Sequence, residues 1–349
     1  MLFASDNWAG AHPKIAENLT RHASGFAAAY GTGDLDRAVQ QTFSAIFERD
    51  VAVFFVGTGT AANSLAQASI ARPGGITFAH REAHMIADEA GAPGFFASGA
   101  RVQAIDGPTG RIDIANLQAA MNGFPEGHVH AGQPMSVSIT QSTESGTIYE
   151  LAEIAAISAI CKENGLPLHM DGARFANALV SLGCSPAEMT WKQGVDILSF
   201  GGTKNGCWCA EALVFMNPEQ ARQMPYIRMR SAQNFSKSRF IAAQFEAYFA
   251  DGLWLETAAH ANAKAAELAK LISNSNDLRL AWQPRANEVF AIMKKQTSAK
   301  LQAAGAVFYD WHTPHAEKGH VAEDETITRF VTSFATTSED ISRFGDLIA

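Results

Sequence analysis

Ser199-Phe200-Gly201-Gly202-Thr203-Lys204-Asn205-Gly206 sets a lysine in a glycine-rich loop directly after the run Val195-Asp196-Ile197-Leu198. An amine kept uncharged by desolvation or by neighbouring cations attacks carbonyl carbon, whereas a lysine in an open surface turn does no chemistry. Upstream, Leu168-His169-Met170-Asp171-Gly172-Ala173-Arg174 again closes an apolar run. A buried carboxylate at Asp171 could pair with the protonated nitrogen of a heteroaromatic ring; its plainer role is to cap the next helix. Glu82-Ala83-His84-Met85-Ile86 adds an imidazole that could stack on such a ring, although a lone histidine is more often satisfied by a backbone carbonyl.

Gly57-Thr58-Gly59-Thr60-Ala61-Ala62 follows an apolar run and opens a helix, matching the G-x-G-x-x-A pattern of dinucleotide sites. That use needs an acid at the end of the next strand, but this strand ends Phe78-Ala79-His80-Arg81, with Glu82 beyond it. A single phosphate fits better: free backbone N–H groups and the helix dipole attract an anion, and Gly59 and the Thr60 hydroxyl lie beside it. The plainer alternative leaves Thr60 as the helix cap. In chain order, an anion loop, a ring stacker, a pyridinium partner and a lysine each fall at a strand–loop junction. Pyridoxal phosphate is the cofactor that uses all four.

The surrounding pattern alternates. Val39, Phe43, Ile46 and Phe47 recur at helical spacing, and Val51–Val56 is an unbroken apolar run that predicts a strand buried on both faces. Helices are expected over 61–71, 112–121, 151–163 and 174–182, and strands over 76–79, 101–105, 135–140, 166–170 and 195–200. This predicts an α/β domain with a mostly parallel sheet, whose ligands bind at the carboxyl ends of the strands. The first thirty residues show no periodicity and read as an arm. After residue 230 come long helices over 235–249 and 253–272, then strands over 288–293, 306–309 and 327–334. The expected division is an arm plus large domain over 1–249 and a smaller α+β domain over 250–349.

Composition narrows the classes. Over 349 residues the net charge is −8, with 47% hydrophobic and 18% charged residues, which argues against disorder and against a nucleic-acid binder. No apolar window is long enough to span a membrane, no signal peptide is evident, and the four cysteines fit a reducing cytoplasm better than a disulfide framework. His80 and His84 have i, i+4 spacing but the glutamate is out of place for H-E-x-x-H, and Cys207-Trp208-Cys209 lacks a second pair. No catalytic metal is expected.

With these segments in view, the chain resembles the pyridoxal-phosphate-dependent threonine aldolases of the aspartate-aminotransferase-like type I fold, over nearly its full length. The resemblance rests on Phe3-Ala4-Ser5-Asp6-Asn7, Ala29-Tyr30-Gly31, Thr58-Gly59-Thr60-Ala61-Ala62-Asn63, Glu82-Ala83-His84, His169–Arg174, Ser199–Gly206 and Ile327-Thr328-Arg329-Phe330. It is closest to the low-specificity branch, which also cleaves phenylserine-type substrates. It implies that Lys204 carries the cofactor, Asp171 meets its ring nitrogen, His84 stacks on the ring, and Gly59, Thr60, Thr203 and Arg174 complete its binding. It also implies that Ser5, Tyr30, Arg174 and Arg329 bind the substrate, the arginines through its carboxylate. The implied reaction is retro-aldol cleavage of L-threonine or L-allo-threonine to glycine and an aldehyde, with His84, His128 or His130 as the base for the β-hydroxyl. The resemblance further implies a homo-oligomer, a dimer or tetramer, with active sites at subunit interfaces. Two positions depart from the family: Gln141-Ser142-Thr143-Glu144 has Glu144 where a histidine is common. Ser231–Ser236 lacks a family arginine, for which Arg230 or Lys237 could substitute. The competing activities are a β-eliminating lyase or alanine racemase on the same fold, a nicotinamide-dependent oxidoreductase, and a silent pyridoxal-binding partner protein.

Overall fold

The computed structural model describes residues 1–315 and 319–349. Seven strands make the larger sheet: β1 (Ala52–Val56), β2 (Gly75–His80), β3 (Arg101–Ile105), β4 (Gln133–Thr140), β5 (Leu168–Gly172), β6 (Ile197–Gly201) and β7 (Glu211–Phe215). They lie in the order β1-β7-β6-β5-β4-β2-β3, with every pairing from β6 to β3 parallel and β7 antiparallel to both its neighbours. The four remaining strands, β8 (Leu278–Leu280), β9 (Glu288–Lys294), β10 (Tyr309–Trp311) and β11 (Glu325–Val331), form a separate antiparallel sheet.

Side chains alternate across the large sheet, so its two faces build two cores. Phe55, Met170, Leu198, Phe200, Ala212 and Val214 face the helices Asp34–Ile46, Leu151–Glu163, Phe175–Leu182 and Arg239–Phe249. Val56, Ile197, Leu213 and Phe215 face the helices Gly59–Ser69 and Met224–Arg230. Every residue of β2, β5, β6 and β7 is buried, as continuous apolar runs require of strands covered on both sides.

Three expectations change here. The run Val51–Val56 gives an edge strand, Ala52–Val56, paired among the described residues only with β7, and Ala52 and Phe54 stay partly exposed. β7 escapes the sequence pattern because Glu211 opens it and Trp208 and Cys209 precede it. The opening arm holds a helix, Pro13–Arg21, with Pro13 at its first turn and His12 as its cap. Its inward positions are Ile15 and Asn18, and the asparagine, donating to the Ala243 carbonyl at 2.7 Å, hides the apolar period.

The boundary between the two units runs through packing, not through a linker. Helix Leu253–Ser273 gives Leu253, Trp254 and Ala258 to the large core and Ala265, Leu268 and Ile272 to the small one. Phe3 also belongs to the small core, edge-on to Phe330 and Phe344 at 6.2 and 5.7 Å. Its backbone joins Val307 and Val331, each through a 2.8 Å hydrogen bond. The first residues of the chain are therefore built into the C-terminal unit.

Phe200, just ahead of the lysine loop, is the hub of the large core, touching the rings of Phe43, Phe175, Phe245, Tyr248, Phe249 and Trp254. Phe200→Ala should lower the unfolding free energy by about 3–5 kcal/mol in urea titrations, as truncation of a fully packed ring does. A loss under about 1 kcal/mol would show that the cluster relaxes around the cavity.

Candidate active site

The parallel strands end in one cleft of about 560 Å³. Asp171 arrives on the end of β5 and Lys204 on the turn after β6. Their approach needs Gly201, because a Cβ there would lie 2.6 Å from the Ala173 carbonyl oxygen. Lys204 faces the cleft and makes no hydrogen bond or ion pair among the described residues.

The glycine loop resolves its two alternatives. Thr58, not Thr60, caps the helix, its hydroxyl accepting from the Ala61 N–H at 3.1 Å. The helix starts at Gly59, and the N–H groups of Gly59 and Thr60 have no partner among the described residues. With the Thr60 hydroxyl they make an anion cradle at a helix N-terminus. Thr203 also lines the cleft, but its hydroxyl accepts from the Ala210 N–H at 3.2 Å, and its N–H donates to Glu211. Glu211 is fully buried and pushed up to about 7 by that burial.

Asp171 is 5% exposed; Oδ2 accepts from Asn63 Nδ2 at 2.7 Å and Oδ1 from the Ala173 N–H at 3.0 Å. The same Asn63 nitrogen donates to Glu89 Oε1 at 2.8 Å, and Glu89 Oε1 lies 2.8 Å from His84 Nδ1. One amide thus joins the buried aspartate to the carboxylate that holds the histidine. The Glu89 hydrogen bond raises the His84 pKa, while burial and the Asp171 charge push Glu89 upward. His84 Nε2 has no partner among the described residues. Glu144, in the place of the family histidine, accepts from the His84 N–H at 2.7 Å and from the Thr140 hydroxyl at 3.0 Å. Burial, then the Asp171 charge, lifts it to about 7.

Arg174 and Arg329 line the same cleft with Ser5, and both already meet acids. Asp6 takes Arg174 bidentately, at 2.7 Å from Nε and 3.1 Å from Nη2. Burial alone would raise Asp6, but Arg174, Lys204 and Asn287 outweigh it and hold the carboxyl below its usual range. Glu288 lies 3.1 Å from Arg174 Nη1 and 3.7 Å from Arg329 Nη1. The Arg329 guanidinium stacks 4.1 Å above Trp311, a cation–π contact that fixes its plane.

Several expected residues stand elsewhere. His128 and His130 are exposed in the loop entering β4, at the amino end of the parallel strands and so at the opposite end of the sheet from this cleft. Tyr30 is exposed on a surface turn, its N–H donating to the Ser236 carbonyl, and does not line the cleft of its own chain. Neither Arg230 nor Lys237 lines it; that segment instead sends Gln233 to accept from the Gly57 N–H at 3.2 Å. Glu82, the acid a dinucleotide site would need, accepts from the His315 N–H, outside the cleft. His80 Nε2 donates to the Gly107 carbonyl while His84 turns to Glu89, so the i, i+4 pair does not converge. Sequence reasoning gave no role to Asp6, Asn63, Glu89, Glu211, Glu288 or Trp311. Glu288 had a signal, an acid heading the apolar run Val289–Met293; Glu89 follows His84 by five residues, off any simple helical face.

The donor set tests whether pyridoxal phosphate fits. A phosphate would meet two unpaired amides and a hydroxyl, a ring nitrogen a buried carboxylate, and a carbonyl an unpartnered amine. The residues fit. With its mostly parallel seven-stranded sheet and small antiparallel unit, the architecture is the type I fold of pyridoxal-phosphate-dependent enzymes. The chain matches the beta-eliminating lyase family over residues 3–296 and belongs to it, grouping with the low-specificity L-threonine aldolases. It is 38% identical to the low specificity L-threonine aldolase of a Pseudomonas species, covering 92% of this chain and 96% of that one. Against the Pseudomonas aeruginosa protein of the same description it is 40% identical, covering 88% of each. The solved Leishmania major threonine aldolase superposes with a TM-score of 0.91 at 29% identity, over 99% of this chain and 98% of that one. The chain is accordingly an enzyme of the lyase class.

Two outcomes follow from the acids. In Glu89→Gln the His84 imidazole should titrate at lower pH than in the wild type, read by side-chain NMR; an unmoved titration would refute the Glu89 contact. Glu144 keeps its proton to about pH 7 when folded but loses it near the ordinary 4.5 when unfolded. The unfolded state therefore binds fewer protons across that window, and stability falls as pH rises through it. Glu144→Gln should flatten this fall in denaturant titrations at stepped pH, and an unchanged slope would contradict the burial.

Proposed function

We propose that this protein is a pyridoxal-phosphate-dependent aldolase that cleaves L-threonine, L-allo-threonine and other β-hydroxy-α-amino acids, phenylserine among them, to glycine and an aldehyde. One observation carries the proposal: an unpartnered Lys204, a buried Asp171, the His84 ring and an open anion cradle share a cleft with Arg174 and Arg329. The similarity to low-specificity L-threonine aldolases supports the substrate class.

Lys204 would carry the cofactor, Asp171 would hold its ring nitrogen, His84 its ring, and Gly59, Thr60 and Thr203 its phosphate. When bound, pyridoxal phosphate supplies an electrophilic carbonyl for the substrate amine and a ring that accepts the electron pair released as Cα–Cβ breaks. Arg329, with Ser5 and the remaining edge of Arg174, binds the substrate carboxylate; a guanidinium plane already fixed on Trp311 sets the rotation about Cα. His84 takes the β-hydroxyl proton at Nε2, because Nδ1 is committed to Glu89 and the second nitrogen is left as the acceptor. We assign this proton to His84 rather than His130 on position within the chain.

The protein works as a homo-oligomer in this proposal. Phe26, Tyr30, Tyr226 and Met229 are all more than half exposed, a set of large apolar side chains that a second copy would cover. Its four free cysteines suit the cytoplasm. Among the described residues, no helix is long and apolar enough to cross a membrane.

Borohydride reduction of the loaded enzyme followed by peptide mapping should put the pyridoxyl group on Lys204, and Lys204→Ala should release no glycine from threonine. Label on another residue would overturn the assignment. 2-Oxobutanoate and ammonia in place of glycine and acetaldehyde would point to elimination.

A further inference from the structure

Glu288 has an unusual setting. Its carboxylate is fully buried between Arg174 and Arg329, yet among the described residues neither oxygen makes a hydrogen bond. Asp6, the other acid on Arg174, is bonded differently: it accepts from Arg174 Nε and Nη2 and from Asn287 Nδ2. The four groups balance as two cations and two anions. A substrate carboxylate entering this cluster adds a third negative charge to a buried pair of positive ones, which is costly unless one acid takes a proton. Multiple hydrogen bonds keep Asp6 ionised, and Glu288 has none to lose.

We propose that Glu288 is the displaceable counter-charge of the carboxylate subsite: an amino-acid carboxylate binds the arginines as Glu288 takes up one proton from solvent. This rests on the carboxylate-binding role proposed above for Arg329. The groups facing Glu288 are Arg174 from the turn after β5, Arg329 from β11, Asp6 from the N-terminal segment and Lys204 from the turn after β6. The loop beside it presents only backbone at Gly146. Lys204 does not serve as the balancing cation, since its amine is the group that carries the cofactor. Burial raises the Glu288 pKa against the pull of both arginines, and an added anion beside it pushes in the same direction. Glu288 is thus a positioning residue: it holds the arginines apart in the empty subsite and yields them to the substrate.

The test uses the pyridoxal-phosphate-loaded enzyme and 3-hydroxybutyrate, which keeps the carboxylate and β-hydroxyl but has no amine. Calorimetric titration in buffers of different protonation enthalpy should show proton uptake on binding that approaches one per site as pH rises. Over the same range the Kd should weaken about tenfold per pH unit, the signature of one linked proton. Infrared difference spectra should gain the C=O band of a protonated carboxyl on adding the probe. In Glu288→Gln the uptake, the new band and the pH dependence of Kd should all vanish while binding persists. Binding without proton uptake in the wild type, or the same uptake in Glu288→Gln, overturns the proposal. If Arg329→Ala binds the probe as tightly as the wild type, the carboxylate-subsite assignment itself fails. Loss of binding in Arg329→Ala with uptake unaltered by Glu288→Gln would sink only the role of Glu288.

Discussion

The guanidinium of Arg174 is where the molecule's parts meet. It sits just past the end of β5 and is gripped by Asp6 from the N-terminal segment and by Glu288 from the head of β9. Desolvation works against its charge, but the two acids outweigh it and keep it firmly protonated. A buried cation of this kind demands partners, and here each comes from a different part of the chain. Satisfying one charge therefore fixes the large sheet, the small sheet and the opening segment relative to the cleft.

A second constraint runs from Asp171 through Asn63 and Glu89 to His84. Asn63 Nδ2 contacts two carboxylates, and its Oδ1 is buried without a partner among the described residues. An amide placed this way holds two acids at fixed separation without supplying charge of its own. The aspartate is then held facing the cleft, while the second acid orients the imidazole. Glu144, bonded to the His84 backbone, holds the same histidine from the other side.

How much of this was legible depends on what kind of signal each residue leaves. The αβ alternation, the parallel sheet and the lysine and aspartate junctions were readable because a glycine-rich turn after an apolar strand has few other uses. Asn18 concealed its helix because a buried polar side chain breaks the apolar period, and Glu211 concealed β7 for the same reason. Glu89 and Glu288 belong to the cleft only through long-range contacts, so nothing local marks them. The resemblance implies that the arginine pair binds a carboxylate; that Asp6 and Glu288 already compensate it is a fact that only three-dimensional proximity reveals. Tyr30 and His130 carry a family pattern, but a pattern does not say which face of the folded chain a loop ends on.

The docking of Phe3 has a consequence for how the protein comes into being. Its backbone bonds reach Val307 and Val331, and Asp6 just beyond it must find Arg174 and Asn287. This segment thus has its binding places on strands made much later in synthesis. Nascent large-sheet strands can assemble on the ribosome, but the opening residues must wait, unpaired, until β11 emerges. Closing so long a loop is an entropic cost met at the end of folding. The cleft is therefore completed only once β9 and β11 are made, and a product cut short before them, however well its central sheet forms, would carry the lysine without its surroundings.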